Sequence, residues 1–283
     1  MSTEEPTTPD KVSDRRGARF EETFAVGEAP QLSVSNVRGS ITVHGEERDD
    51  IQVTAVKHLE GCGDPERTTL EIYQEGDRVV AKTRFRDGGR SLFRKGGDKV
   101  CAVDYTVRVP AGCDVKARQV TGAIHVTGVT GRVDVNAVQG DVKLCEISGR
   151  THVQGVSANV EGDGWSGRAQ VNTVSGPVRI SGAQLSRVKA HTVSGNLSLE
   201  TTVDEEGRYD FHSVSGDVTF FLPSERGVES RGTTISGQLV CDLPHEFSQR
   251  GRGRWRATIN GGGPFLRFHS ISGDLEVLAA KPS

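Results

Sequence analysis

A nine-residue period governs this chain from residue 120 onward. The unit apolar, small polar, Gly, any, apolar, any, apolar recurs as Val-Thr-Gly-Ala-Ile-His-Val (120 to 126), Val-Thr-Gly-Arg-Val-Asp-Val (129 to 135) and Val-Gln-Gly-Asp-Val-Lys-Leu (138 to 144). Its glycine slot continues through Gly149, holds Ala158 once, and resumes at Gly167 and Gly176. A nine-residue unit has room for one short strand and one tight turn. The alternation of apolar and polar residues is the period-two signature of a strand buried on one face. Beyond residue 176 the copies spread out to Gly195, Gly216, Gly237 and Gly273, spaced by 21, 21 and 36, whereas Gly122 and Gly140 are 18 apart.

Eighteen residues is therefore the structural repeat, with two strands per coil. Coils stacked at about 4.8 Å make an all-β fold, a β-solenoid of about 18-21-residue coils whose strands pair in parallel; about nine coils give a rod roughly 40 Å long. The gap of 36 predicts one degenerate coil and an insertion around residues 243 to 253. With Val120, Ile124 and Val126 pointing inward, alternation places Gly122 inward too, where a flattened coil is too narrow for a side chain or where the backbone bulges.

The stretch 18 to 110 reads differently. Its alternating or β-branched segments are separated by turn signals at 45 to 50, 61 to 65, 75 to 77 and 86 to 98, which predicts an N-terminal antiparallel β-sheet cap. One repeat unit, Val37-Arg-Gly-Ser-Ile-Thr-Val43, already lies within it. The expected organisation is a disordered polar leader over 1 to 17, the cap with its first repeat unit over 18 to 110, and the solenoid over 111 to 279.

Composition narrows the function classes. Among 283 residues aromatics make up 5 %, there is one Met, 35 residues are Gly, and the net charge is -3. The core must be built from Val, Ile, Leu and Ala, and no strong global field draws the chain to nucleic acid. No stretch approaches the roughly 20 apolar residues of a membrane span, and the first 17 residues lack the apolar segment of an export signal. The five cysteines, Cys62, Cys101, Cys113, Cys145 and Cys241, are odd in number and irregularly spaced. That pattern predicts reduced thiols and a cytoplasmic protein.

The sequence also carries a Tyr105-Thr-Val-Arg-Val-Pro-Ala-Gly112 strand, serial Val-Ser-Gly-Asp-Val units and a final Ile259-Asn-Gly-Gly-Gly-Pro-Phe-Leu-Arg-Phe-His-Ser-Ile-Ser-Gly273. In this combination, over roughly residues 20 to 279, the chain resembles the bacterial putative-adhesin family, a domain-of-unknown-function family of β-strand repeat proteins. The resemblance implies an all-β, solenoid-like fold. It brings no catalytic residues to carry over.

Stacking turns residues one coil apart into neighbours, so ladders are where a site should lie. One ladder runs Asn136, Gln154, Asn172, His191, His212, Thr233, His269; stacked amides and rings there can hydrogen-bond or pack along the rod axis. A metal held by His191 and His212 is the lesser alternative, because no carboxylate or thiolate shares the column. The second ladder is Arg132, Arg150, Arg168, Arg187 and Arg208, whose parallel guanidinium groups would repel one another unless solvated or met by a polyanion or acidic glycan. Opposite them, Asp141, Asn159, Asn196, Asp217, Gln238 and Asp274 share one slot. Two basic tracts, 84 to 99 and Arg250-Gly-Arg-Gly-Arg-Trp-Arg256, could hold single-stranded nucleic acid, although hairpin tips are the plainer reading.

Catalytic patterns are weak. Gly162-Asp-Gly-Trp-Ser-Gly167 has the letters of a dinucleotide fingerprint but precedes no helix. His58 and Cys62 lack the partners of a zinc site. Asp134, Asp141, Asp163 and Arg150 would need to converge on one face to serve a polysaccharide lyase. The expectation is a non-catalytic scaffold or adhesin-like binding module without cofactor or metal, self-associating as a homo-oligomer through an exposed C-terminal coil. A polyanion or carbohydrate binder and a polysaccharide-processing enzyme are the alternatives.

Overall fold

The computed structural model describes residues 12–13, 19–62, 65–85 and 100–280. The N-terminal part contributes β1 (Val12–Ser13), β2 (Arg19–Ala25), β3 (Gln31–Arg38), β4 (Ile41–Glu46), β5 (Asp50–Lys57), β6 (Thr68–Glu75), β7 (Arg78–Phe85) and β8 (Val103–Pro110). The repeats supply β9 (Asp114–Thr121), β10 (Ile124–Thr127), β11 (Val133–Cys145), β12 (Ser148–Asp163), β13 (Ser166–Ser175), β14 (Val178–Thr192), β15 (Leu197–Thr201), β16 (Arg208–Ser213) and β17 (Val218–Leu222). After them come β18 (Val228–Thr233), β19 (Leu239–Cys241), β20 (His245–Gly251), β21 (Arg254–Ile259), β22 (Phe265–His269) and β23 (Leu275–Ala279).

Parallel pairing at one coil's separation is the rule. Val133, Thr151 and Ala169 are successive partners on one side of the rod, and Val142, Val160 and Val178 on the other. The alternating positions fill the space between these two strand columns. Val135, Val153, Val171, Ala190 and Phe211 from one side and Val142, Val160, Val178, Leu197 and Val218 from the other are all buried in one continuous core. At about 25 cal/mol per Å² of apolar surface, small β-branched side chains suffice here because every rung buries its inner row.

The Val-Ser-Gly motif is the corner of each coil, and each of its three residues has its own ladder. The serine hydroxyl donates to the carbonyl of the valine one rung away, as from Ser194 to Val174 (3.3 Å) and from Ser215 to Val193 (3.2 Å). The glycine brings backbone onto backbone. At Gly140 φ is +130°, and an added Cβ would overlap the Gly122 carbonyl oxygen of the neighbouring coil. Gly122 is thus required by this stacked approach and its backbone sign, rather than by a narrow interior. The valine is not inside at all. Val120, expected inward, is 45 % exposed, because the turn at Gly122 switches the parity of the alternation: Gln119 is buried before it and Ile124 after it.

The ends of the rod differ from the sequence expectation in two ways. In the cap, β2 pairs antiparallel with β5 and β5 with β8, while β6 pairs antiparallel with β7. β7 and β8 then join β3 and β4 in parallel, which continues both strand columns into the repeats. Within the stretch expected to be a disordered leader, Val12–Ser13 pairs with β6; residues 1–11 and 14–18 lie outside the described residues, as does 86–99 of the first basic tract. At the other end the last segment in sequence is not the last in space. β22 and β23 lie between β16–β17 on one side and β18–β19 on the other. The outer edge of β18 is covered by the antiparallel hairpin β20–β21. The C-terminal coil is thus paired on both sides, with β19 covering Leu275–Val277 of β23, rather than standing at the end of the stack.

Two of the five cysteines are joined. Cys62 and Cys101 form a disulfide across 39 residues, just beyond the β5–β8 pairing, and Cys113, Cys145 and Cys241 are free. This corrects the reading of all five as reduced thiols; the pair meets through the fold and has no sequence spacing to announce it.

Candidate functional site

The outward side of the β9-to-β22 column carries parallel ladders whose rows are set by strand register. At one margin stand the arginines. Arg150 pairs with Arg168, Arg168 with Arg187 and Arg187 with Arg208, and Arg132 precedes the Val133–Thr151 pair. Arg187 falls 19 rather than 18 residues after Arg168, and a register shift at Gly167/Arg168 absorbs the extra residue. All five arginines are exposed, and among the described residues none has an ion-pair partner. The Arg132 backbone N–H is held by Asp114 Oδ1 (2.8 Å).

Four positions further along each strand is the amide and imidazole ladder. Register places Asn136 beside Gln154, Gln154 beside Asn172, Asn172 beside His191, His191 beside His212, His212 beside His269 and His269 beside Thr233. The His191 and His212 rings stack at 4.7 Å and 4° from parallel, and His212 and His269 at 5.1 Å and 19°. Nitrogen lone pairs lie in the ring planes, so rings stacked face to face do not aim them at a shared ion. The geometry is that of packing. Burial, and after it the neighbouring His191 and His269 charges, hold His212 below the usual imidazole range.

Beyond the imidazoles runs a ridge that sequence alternation did not reveal. Val138, Val156, Val174, Val193 and Val214 are each 41–47 % exposed, and Ile271 50 %. Between ridge and ring stack lies a groove of about 560 Å³, walled by Asn172, His191, His212 and His269 on one side and by Val174, Val193 and Val214 on the other. Its floor is made by Thr173, Thr192 and Ser213, the residues that precede each corner. The signal that could have located it is the spacing of five between buried Gln119 and buried Ile124, an odd step across a glycine.

Other candidate residues resolve into structure. Asn159 donates to Asp141 Oδ1 (2.9 Å), and the carboxylates of Asp217 and Asp274 each accept a backbone N–H of the adjoining coil, from Asp274 and Gln238, both at 2.9 Å. The slot of Asp141, Asn159, Asn196, Asp217, Gln238 and Asp274 thus pins turn to turn. The lyase set is divided: Asp134 and Arg150 belong to the groove-bearing column, while Asp141 and Asp163 stand in the opposite one, where their partners are Asn159 and Cys145. Asp134 sits 3.8 Å from His152 and accepts from Asn136 (3.0 Å). Gly162 and Gly167 lie within strands, with no helix between them. His58 faces Asp104, whose carboxyl is held below its usual range by the Ser40 and His58 hydrogen bonds against the opposing effect of burial.

Solved structures that the chain matches include a putative adhesin from Bacteroides fragilis, at 9 % identity, TM-score 0.48, covering 92 % of this chain and 96 % of that one. A putative cell adhesion protein from Clostridium sporogenes has 10 % identity and TM-score 0.28, over 93 % of this chain and 100 % of that one. A putative lipid binding protein from Parabacteroides distasonis has 8 % identity and TM-score 0.33, over 92 % and 97 %. The comparison with curated proteins gives no match. The family model described as Toastrack DUF4097 matches residues 30–278, nearly all of the coiled fold including the groove, and the chain belongs to that family.

Proposed function

We infer that the chain is a non-catalytic, adhesin-like binding module, and that the groove between the imidazole stack and the valine ridge receives an extended ligand with an apolar face. The observation that carries this reading is the ridge itself. Single exposed valines are ordinary, but a row of them in register beside a 560 Å³ groove leaves apolar surface uncovered along several consecutive rungs. Rigid repetition adds to it, since contacts at fixed spacing accumulate along a linear partner.

Titration of the full chain with anilinonaphthalene sulfonate, a flat apolar anion, tests the groove. Fluorescence should rise on binding and the rise should fall in a Val193→Asp, Val214→Asp double variant. A wild type that leaves the dye dark, or a variant that binds as well, overturns the reading.

A second reading, polyanion or acidic-glycan binding along the arginine ladder, is favoured by the unpaired alignment of Arg150, Arg168, Arg187 and Arg208. Retention on heparin resin that disappears in an Arg150→Ala, Arg168→Ala, Arg187→Ala variant would support it. Retention unchanged by that variant would discard it.

A further inference from the structure

The basic tract Arg250 to Arg256 is the tip of the β20–β21 hairpin, the turn at Arg252 and Gly253 with the strand ends on either side, as the plainer sequence reading expects. Its β21 arm sets arginine beside arginine. Arg256 of β21 is the cross-strand partner of Arg231 on β18, and Arg231 is the partner of Arg267 on β22. Three guanidinium-bearing residues therefore share one row on three adjacent strands, about 4.8 Å from one to the next. Arg254, in the neighbouring row opposite Thr233, adds a fourth. Together with Gln249 and His269 these four arginines line a cleft of about 280 Å³.

Acidic compensation there is thin. Asp210, next in the row, is 3.6 Å from Arg267. Glu229 accepts the Thr258 hydroxyl at 3.0 Å. Arg231 lies over the Phe265 ring at 5.4 Å, and among the described residues Arg231, Arg254 and Arg256 have no ion pair. Like charges held side by side on rigid strands repel unless a counter-charge joins them, and planar guanidinium forks match a tetrahedral oxyanion two oxygens at a time. A single carboxylate would leave most of this charge unmet.

We propose that the cleft formed by Arg231, Arg254, Arg256 and Arg267 binds a doubly charged tetrahedral oxyanion, a phosphate or phosphate monoester. Arg231 and Arg256 grip it from adjacent strands and Arg267 turns part of its charge from Asp210 to the ligand. The site stands apart from the arginine ladder, which ends where Phe265 follows Arg208 in register. It needs neither the groove nor the ladder to be occupied.

Calorimetric titration of the full chain with inorganic phosphate and, in a parallel arm, glycerol phosphate tests this and separates free from esterified anion. Both should bind in the wild type. An Arg231→Ala, Arg256→Ala variant should lose about tenfold or more in affinity, the value of one good charge-assisted pair or more. Arg231→Lys with Arg256→Lys, which keeps charge and any structural role of the stems, should fall between them. Arg150→Ala with Arg168→Ala should bind as the wild type does. No binding of either anion to the wild type, or equal affinity in the double alanine variant, overturns the proposal.

Discussion

His191 and His212 stand on consecutive rungs with their rings 4.7 Å apart and 4° from parallel. Stacked rings this close repel one another when both carry a proton, so the stack ties rung packing to protonation. His212 feels it most: burial comes first, and the His191 and His269 charges add to it in holding its proton affinity down.

The sign follows from linkage. A folded His212 takes a proton at lower pH than an unfolded one, so the unfolded chain gains protons first as pH falls through the ordinary imidazole range. Stability is whole above that range and is lost on descending through it. Thermal unfolding at about pH 7.5 and about pH 5.5 should give a lower midpoint at the acid end. His212→Asn, which places in the column the amide that Asn172 already brings to it, should narrow the difference. The same pH dependence in both proteins would show that the stack is not responsible.

The glycine column makes a second prediction. Gly176→Ala introduces a Cβ at φ +110° against the Ala158 carbonyl, so both backbone strain and overlap oppose it. A loss of about 2 kcal/mol or more is expected from urea unfolding. Ala158→Gly is the matched control. Ala158 holds the same column without a positive φ, and its replacement should cost about 1 kcal/mol from backbone entropy and the lost methyl. Equal losses at the two positions would mean that the column tolerates a side chain anywhere.

The exposed ridge and the buried row should part company on mutation. Val193→Ser and Val214→Ser, at 44 % and 41 % exposure, should change stability by no more than about 0.5 kcal/mol while reducing dye binding in the groove. Phe211→Ala, fully buried one position before His212, should cost about 3–5 kcal/mol. Urea midpoints settle it, and a ridge variant as costly as the core variant would mean that the valines are packed rather than presented.

Much of this was legible in the chain itself. The interval of 18 sets Arg150 on Arg168 and Gln154 on Asn172, and the copies at 193 and 214 bring His191 onto His212 even though those coils are longer. Strand register depends on the inner apolar row, and that row is written in the sequence. What escaped is what alternation does not encode. A turn with an odd step reverses the faces, which hid the valine ridge and misplaced Gly122. Spatial order across the 36-residue gap also escaped, because two repeat units separated by a hairpin read the same whichever stacks first. Cys62 and Cys101 are neighbours through the β5–β8 pairing, which no cysteine spacing records.

Thiol counting follows from that pairing. Denatured without reductant, the chain should show three reactive thiols, Cys113, Cys145 and Cys241, and five after reduction. In the native state Cys113 should label slowest, since burial pushes its thiol up to about 12. A Cys62→Ser, Cys101→Ser variant should lose about 2–4 kcal/mol on the loop-closure account of cross-links. Five thiols without reductant, or an unchanged urea midpoint, would contradict the bond.

The hairpin β20–β21 is what stands between the rod's end and another chain. Its antiparallel strands take up the backbone groups of β18 that would otherwise face solvent as a template for pairing. Trp255 fixes it there: the indole is buried at 6 % exposure, donates to Ser230 Oγ at 3.2 Å, and fills the space where a Cβ on Gly232 would be. Gly232 is glycine because the ring lies on its backbone. Trp255→Ala removes the anchor while leaving the hairpin's own hydrogen bonds intact, so the hairpin should lift and uncover β18 rather than the whole rod unfold. Light scattering over rising protein concentration should then show mass increasing in the variant and not in the wild type. Oligomers of equal size in both would place any self-association elsewhere, at β19 or β2, which among the described residues pair on one side only.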